Sequence, residues 1–328
     1  MEKQVSLYAL AVDVGGTKMD IAFIDQFGNY LEPPKRALVP FDENGVAIPT
    51  KILDILEPYV QRGKKEFENF AGIGLSLCGN IDRITGEAVL VANLYWRNVP
   101  FGKMAEERFG VKNYPATDVF MALLAEVTWG KAKGLNHVAW MTLGTGYGGY
   151  LYLDGKMYHG AHGFAGNLGH SIYDERTGEL CGCGQKGCFE SYVAGPAIAS
   201  QGQKACAEGQ SQVLKELCSG NCEQVTTRMV FEAEQKGNSS AHEIIHGVIR
   251  KLGISLSSMV DLLDLEMIVL GGGVWKGSAD FVERVDRCVR GFLMTEEAKR
   301  DLQIVLESFD NSALKGAGAY VFQEKGLL

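Results

Sequence analysis

Four side chains that bind soft metal ions crowd into one short stretch of this sequence: His170, then Cys181, Cys183 and Cys188. One imidazole and three thiolates are the ligand set of a closed tetrahedral Zn2+ site, with no position left for water or substrate. Gly182, Gly184 and Gly187 lie among the thiols and suit a chain that must turn tightly round an ion. A metal held this way is structural. It pins the segment 166–190, and any functional group nearby inherits that rigidity. The other cysteines (Cys78, Cys206, Cys218, Cys222 and Cys288) are dispersed along the chain.

The 41 glycines fall in clusters: DVGGTK (13–18), LGTGYGG (143–149), CGCGQKGC (181–188), LGGGV (270–274) and KGAGA (315–319). Glycine lets backbone amides approach a ligand closely, so five clusters suggest a site assembled from several turns. In the first, the amides of Gly15 and Gly16 with Thr17 and Lys18 suit phosphate oxygens, and Asp13 suits a water-bridged Mg2+. The plain alternative is a tight hairpin. Gly144, Gly146 and Gly149 match the dinucleotide pattern G-x-G-x-x-G, but that pattern needs a helix directly afterwards, and Tyr150–Leu153 reads as a strand closed by Asp154-Gly155. GGGVWKGS (271–278) is not a P-loop, because its Lys precedes the Gly.

Elements must carry these turns. Leu7–Val12, the glycine turn and Met19–Ile24 read as strand, turn, strand; His137–Leu143, LGTGYGG and Tyr150–Leu153 repeat the arrangement about 130 residues later. Two similar α/β domains, each led by a phosphate-cradling hairpin, are expected. Helical spacing marks Ile48–Gln61 and His242–Leu263, with a helix from Asp118 to Trp129. Ala71–Leu77, Met267–Leu270 and Gln303–Leu306 read as strands, Phe281–Leu293 and Ala313–Val321 as helices, and Ser200–Asn238 as a polar helical surface region.

The 328 residues fit two domains or one large one, and the net charge of −8 speaks against nucleic-acid and membrane-surface partners. No stretch is apolar enough to span a bilayer, and the N-terminus lacks a signal-peptide pattern, so a cytosolic (cytoplasmic) location is expected. Eight cysteines in such a chain suggest metal binding or buried thiols rather than a disulfide framework.

DVGGTK, GIGLSLCGNID (72–82), the helix start at Asp118, LGTGYGG, GNLGH (166–170), CGCGQKGCFESY (181–192) and LGGGV follow one another in an order that resembles the ROK (repressor, open reading frame, kinase) family of bacterial sugar kinases, of the glucokinase, allose kinase and N-acetylmannosamine kinase type. The resemblance covers nearly the whole chain. It implies a two-domain actin/hexokinase (ribonuclease H-like) ATPase fold with a cleft between the domains, the small one over 1–117 plus about 300–328 and the large one over 118–299. It also implies ATP, Mg2+, a structural Zn2+, a sugar substrate and a homodimer. By position Asp118 is the general base for phosphoryl transfer, usually to O6 of a hexose; taken alone it is a first-turn helix acid. Gly79, Asn93, His170 and Glu190 fall at sugar-binding positions. Asp13, Thr17, Gly144, Thr145 and Gly146 fall around the phosphates, and Gly271, Gly272 and Gly273 against the adenosine.

Three departures from the family pattern involve four residues. Thr117 and Phe120 replace the Asn before the base and the Asn two after it, Asn167 replaces a Glu three before the metal-binding His, and Cys78 replaces a Pro. Thr117 and Asn167 stand at sugar-contact positions, so a hexose other than plain glucose is expected, such as allose or an N-acylated sugar. A sugar-sensing repressor would carry a helix-turn-helix domain first, and only 12 residues precede Asp13. A catalytically silent sugar-binding protein is the other alternative.

Overall fold

A computed structural model describes residues 7–82, 84–163, 165–176 and 178–328. The first hairpin forms as expected from β1 (Tyr8–Val14) and β2 (Lys18–Asp25), with Val14 opposite Met19. β3 (Lys35–Leu38) follows, then α1 (Pro49–Glu66), which starts at a proline suited to a first helical turn and buries Ile52, Leu53, Leu56 and Val60. β4 (Phe70–Leu77) leads into a small antiparallel sheet of β5 (Asn80–Asp82), β6 (Glu87–Val91) and β7 (Trp96–Val99). α2 (Phe101–Phe109), β8 (Asn113–Thr117) and α3 (Asp118–Trp129) complete this part.

Next come β9 (Val138–Leu143), β10 (Tyr147–Leu153), β11 (Lys156–Tyr158), α4 (Glu190–Val193), α5 (Gly195–Ala207), α6 (Gln212–Leu217), α7 (Thr227–Gln235) and α8 (Ser239–Leu263). The chain closes with β12 (Met267–Gly271), α9 (Phe281–Phe292), α10 (Glu296–Asp301), β13 (Gln303–Leu306) and α11 (Ser312–Glu324). Among the described residues no helix is long and apolar enough to cross a membrane.

Two compact units result, one of Met1–Gly134, His159–Phe164 and Glu307–Leu328, the other of Leu135–Tyr158 and Ala165–Leu306. Their main sheets share one plan. The first runs β3-β2-β1-β4-β8 and the second β11-β10-β9-β12-β13. In each, the hairpin side pairs antiparallel and the other strands pair parallel. The repeated hairpin in the sequence is therefore a repeated sheet.

The last helix expected from the sequence, Ala313–Val321, forms as α11, so the fifth glycine cluster joins no turn. KGAGA lies inside α11, where small residues let two backbones meet. A Cβ on Gly316 would stand 1.6 Å from the Met121 carbonyl oxygen, and one on Gly74 of β4 would stand 1.9 Å from that of Ala317. α11 thereby sits directly on β4 and α3. The segment 200–238 is also more than surface: Cys206, Leu214, Cys218, Val230 and Phe231 belong to the second unit's core. Metal binding or buried thiols are the expectation for the cysteines, and Cys206 and Cys222 depart from it because they are joined as a disulfide.

A charged side chain of the first unit is fully shielded from solvent. Glu126 of α3 is 0% exposed and accepts hydrogen bonds from the Ser308 amide (2.6 Å), the Ser308 hydroxyl (2.6 Å) and the Lys131 amide (3.2 Å). It ties the end of α3 to the segment just before α11. Removing the acceptor strands the Ser308 donors, at about 1–3 kcal/mol for a buried unsatisfied group, while the Lys131 amide keeps the Ser308 hydroxyl oxygen at 3.0 Å. Glu126→Ala is expected to lower unfolding stability by about 3 kcal/mol, and Glu126→Gln by less, read by urea denaturation.

Candidate functional site

The first unit gathers its chemistry at the carboxyl ends of three parallel neighbours, β1, β4 and β8. Asp13 on β1 lies opposite Asp20 on β2 and beside Ser76 on β4. The Ser76 hydroxyl donates to Asp13 Oδ1 at 2.7 Å, and the Asn311 side-chain amide donates to Oδ2 at 3.0 Å. Burial pushes the Asp13 carboxyl above its ordinary range, against those two hydrogen bonds, with Asp20 adding to the rise. Asp20 is held below its range, first by its hydrogen bond from Arg36. After Asp13, Gly15 and Gly16 turn the chain and leave Thr17 and Lys18 exposed. Gly16 faces Asn93, whose Cβ would stand 3.0 Å from an added one.

Asp118 is the first residue of α3, immediately after β8, and Thr117 is the N-cap position without a side-chain cap. Asp118 Oδ1 accepts from the Val119 amide at 2.9 Å and from the Thr117 hydroxyl at 3.2 Å. Burial, and secondarily the charge of Asp13, raise its carboxyl to about 6. Cys78, at the end of β4, has its thiol pushed up to about 12 by burial and by Asp118. It stays a neutral thiol, and the Asn93 side chain donates to its sulfur at 3.8 Å. Gly79 must be small, since a Cβ there would lie 2.4 Å from the Leu90 carbonyl oxygen. Asp13, Cys78, Gly79, Asn93, Thr117 and Asp118 thus share one corner of this unit. Phe120 does not join them: it is 1% exposed and packs its ring against Tyr320 at 5.0 Å.

The second unit builds a glycine turn at the equivalent place. Gly144, Thr145 and Gly146 join β9 to β10, with the Gly144 amide donating to the Gly146 carbonyl at 2.9 Å. Because β10 is a strand, the dinucleotide pattern is excluded as read. The start of α5 abuts the turn, where the Gly195 amide donates to the Gly144 carbonyl at 2.8 Å. The GGG run closes on the same strand end: Gly271 lies against the Trp140 ring, and Gly272, at φ +100°, lies against the Leu143 backbone. A Cβ at Gly272 would stand 2.5 Å from the Leu143 oxygen.

His170, Cys181, Cys183 and Cys188 come together, each offering a ligand atom within 4.8 Å of the others. The Cys183 and Cys188 sulfurs are 3.6 Å apart, and Cys181 Sγ is 3.7 Å from His170 Nδ1. Zinc bonds of about 2.3 Å to sulfur and about 2.0–2.1 Å to nitrogen put tetrahedral ligands about 3.5–3.8 Å apart. The donor set and its spacing fit Zn2+ in a structural role, with His170 Nδ1 on the metal side and Nε2 left over.

Glu190, the first residue of α4, links this cluster to the glycine turn. Its Oε2 accepts from the Tyr147 amide at 2.8 Å, while the Cys181 thiol lies 3.7 Å from its Oε1. A Cβ on Gly146 would sit 2.5 Å from Oε2, so only glycine admits the carboxylate there. Asn167 is exposed and precedes the short 3-10 turn Leu168–His170.

Two positioning residues escaped the sequence reading. Asn311 caps α11 through its side-chain oxygen and reaches both Asp13 and Asp20 with its amide, at 3.0 and 3.2 Å. Thr227 donates to the Gly195 carbonyl at 2.6 Å, fixing the start of α5. An Asn before a small-residue helix signals a cap; nothing local signals Thr227.

Known proteins share this plan. A glucokinase of Halalkalibacterium halodurans is 28% identical over 291 residues, covering 88% of this chain and 87% of that protein. A xylose repressor of Caldicellulosiruptor bescii is 26% identical over 220 residues, 67% of this chain and 54% of the repressor. A crystal structure of a ROK family glucokinase from Streptomyces griseus, in complex with glucose and AMPPNP, has a TM-score of 0.78 at 26% identity, covering 96% of this chain and 99% of that one. The fold is the mixed α/β actin/hexokinase type. The ROK family model matches residues 9–324, and the chain belongs to the ROK family.

Proposed function

We propose that the protein is an ATP-dependent sugar kinase that transfers the γ-phosphoryl group to O6 of a hexose, with Asp118 as general base. The observation that carries this reading is the placement of Asp118: a carboxylate at a strand end, raised to about 6 by burial and by Asp13, in the same corner as the turn Asp13–Lys18. Asp118 accepts the hydroxyl proton as the sugar oxygen bonds to the γ-phosphorus. The bond from that phosphorus to the β–γ bridging oxygen breaks, and ADP leaves. Asp13 is the residue that would hold Mg2+, which when bound would supply charge neutralisation at the phosphates. The Gly15, Gly16, Thr17 and Lys18 turn and the Gly144–Gly146 turn hold phosphate oxygens, and the Gly271–Gly273 run lies against the adenosine. Gly79, Asn93, Thr117, Asn167, His170 and Glu190 hold the sugar. Zn2+ takes no part in the transfer.

Thr117 and Asn167 set the specificity away from plain glucose. Asn167 offers a neutral amide where the family pattern has a carboxylate, so a different substrate group must be satisfied there. The test is ADP release with Mg-ATP against glucose, mannose, allose, fructose, N-acetylglucosamine and N-acetylmannosamine. One sugar other than glucose is expected to turn over at about 1–100 s⁻¹. Glucose as the preferred substrate overturns the specificity reading. Silence with every sugar, in folded zinc-loaded protein, favours the second reading, a silent sugar-binding member; the repressor relative and the substitutions at Thr117 and Asn167 support that one.

The base assignment carries a pH signature. A carboxylate raised to about 6 is ionised above that pH and protonated below it, so kcat/KM for the sugar is expected to fall as pH drops through about 6. A profile that stays flat down to about pH 5 overturns the assignment.

A further inference from the structure

Three cysteines that are dispersed in the sequence meet in the second unit. Cys206 sits in the last turn of α5, Cys218 caps the end of α6, and Cys222 opens the 3-10 turn Cys222–Gln224. Their three sulfurs lie within 4.8 Å of one another. Cys206 and Cys222 are joined as a disulfide, and Cys218 Sγ stands 3.8 Å from Cys206 Sγ. Cys206 and Cys218 are each 3% exposed, and Cys222 is half-buried.

The surrounding chain positions the sulfurs through backbone and side-chain contacts of its own. Ser219 and Gly220 take φ of +52° and +86°, which folds the segment from Cys218 to Cys222 back on itself. The amides of Ser219, Gly220 and Asn221 donate to the carbonyls of Glu216, Lys215 and Cys218 at 3.1, 2.8 and 3.0 Å. From α5, the Gln203 side chain donates to the carbonyls of Glu223 and Val225 at 3.0 and 3.1 Å. A disulfide needs two sulfurs, and here a buried third thiol faces the pair. Its 3.8 Å separation from Cys206 equals the sulfur–sulfur edge of two thiolates on one ion with bonds of about 2.3 Å.

We propose that Cys206, Cys218 and Cys222, with the disulfide reduced, form a second metal site, a three-thiolate site for a thiophilic d10 cation of the Zn2+ or Cu+ class. Reduction by a dithiol breaks the Cys206–Cys222 bond. Two electrons and two protons pass to the two sulfurs, and the dithiol closes to its own disulfide. The cation then displaces thiol protons to solvent. Among the described residues no carboxylate or imidazole joins the three sulfurs, so Mg2+ and Ca2+, which want oxygen ligands, are not served. The site lies at the far end of α5 from Gly195, about 16 Å along the helix from the glycine turn, so the ion braces α5, α6 and α7 rather than meeting substrate.

The test counts ions and does not depend on kinase activity. The full chain, reduced with a dithiol and stripped with chelator, is titrated anaerobically with Zn2+ against a chromophoric competitor, and in parallel with Cu+. About two equivalents of Zn2+ are expected for the wild type and about one for Cys218→Ser or Cys222→Ser. Cys183→Ser, which addresses the His170 cluster, is expected to bind one, and the Cys183→Ser/Cys218→Ser double variant none. Cys222 is partly exposed, so its replacement is the milder variant, and circular dichroism checks that each chain is folded. A wild type that binds one equivalent, lost in Cys183→Ser and unchanged in folded Cys222→Ser, overturns the proposal, provided the Cu+ arm gives the same count.

Discussion

Asp118→Asn is expected to lower kcat by about 10²–10⁴-fold, with little change in the sugar KM, in fold or in zinc content. The amide is isosteric and keeps an oxygen for the Val119 amide, which Asp118 now accepts at 2.9 Å. On the proposed reading, what it removes is the ability to take a proton as the sugar hydroxyl attacks. If Asp118 were only a first-turn acid on α3, its neutralisation would cost stability of roughly 0.3–1 kcal/mol and leave turnover alone. The two roles are therefore separated by which quantity moves. Stability is not expected to drop, since the substitution also removes a charge that lies close enough to Asp13 to raise the Asp118 carboxyl. Steady-state kinetics on the preferred sugar, with urea denaturation of the same preparation, give both readouts. Wild-type kcat in the variant overturns the base assignment.

What the sequence made legible follows from how local each signal is. The hairpins were readable because strand, glycine turn and strand are consecutive, and the repeated sheet order follows from that repetition. The His170 cluster was readable because three of its four ligands fall within eight residues. Asp118 was placed at its helix start, but the rise of its carboxyl comes from burial and from Asp13, which lies 105 positions away in sequence (118 − 13). Asn311 reaches Asp13 across a separation of 298 residues, so only the folded chain shows it. KGAGA reads as part of a helix, but glycine composition marks close approach without saying what approaches; in α11 it is the backbone of α3 and β4. Cys206, Cys218 and Cys222 looked scattered for the same reason. Only Cys218 and Cys222 fall at a compact spacing; Cys206 lies on another helix, and a left-handed turn at Ser219 and Gly220 helps gather the three.

Removing the ion from the His170 cluster is expected to cost the sugar site more than the nucleotide site. Between 171 and 188, the only buried side chains among the described residues are Cys181 and Cys188, while Leu180 is 76% exposed. Regular pairing there is reduced to isolated bridges, Ile172 with Cys188 and Leu180 with Lys186. A loop with so little apolar burial has no core of its own, so an ion held by the four ligands would supply its order. Apparent binding free energies of about 10–16 kcal/mol for structural zinc are then largely the folding free energy of this segment. Glu190 follows directly, and its grip on the Tyr147 amide depends on the loop that ends at Phe189. Cys181→Ser is therefore expected to lose about one Zn2+ per chain and to open the segment 171–188 to protease. On the proposed kinase reading, the sugar KM rises more than about tenfold while the ATP KM moves less, because metal loss loosens Glu190 and His170 but leaves the Gly195 amide on Gly144. Elemental analysis, limited proteolysis and the two KM values test the chain of cause in order. A folded Cys181→Ser protein that keeps its zinc, or loses it with the loop still protected, breaks the link between the metal and the order of the loop. A protein that loses both zinc and protection but keeps its sugar KM breaks the link between the loop and Glu190.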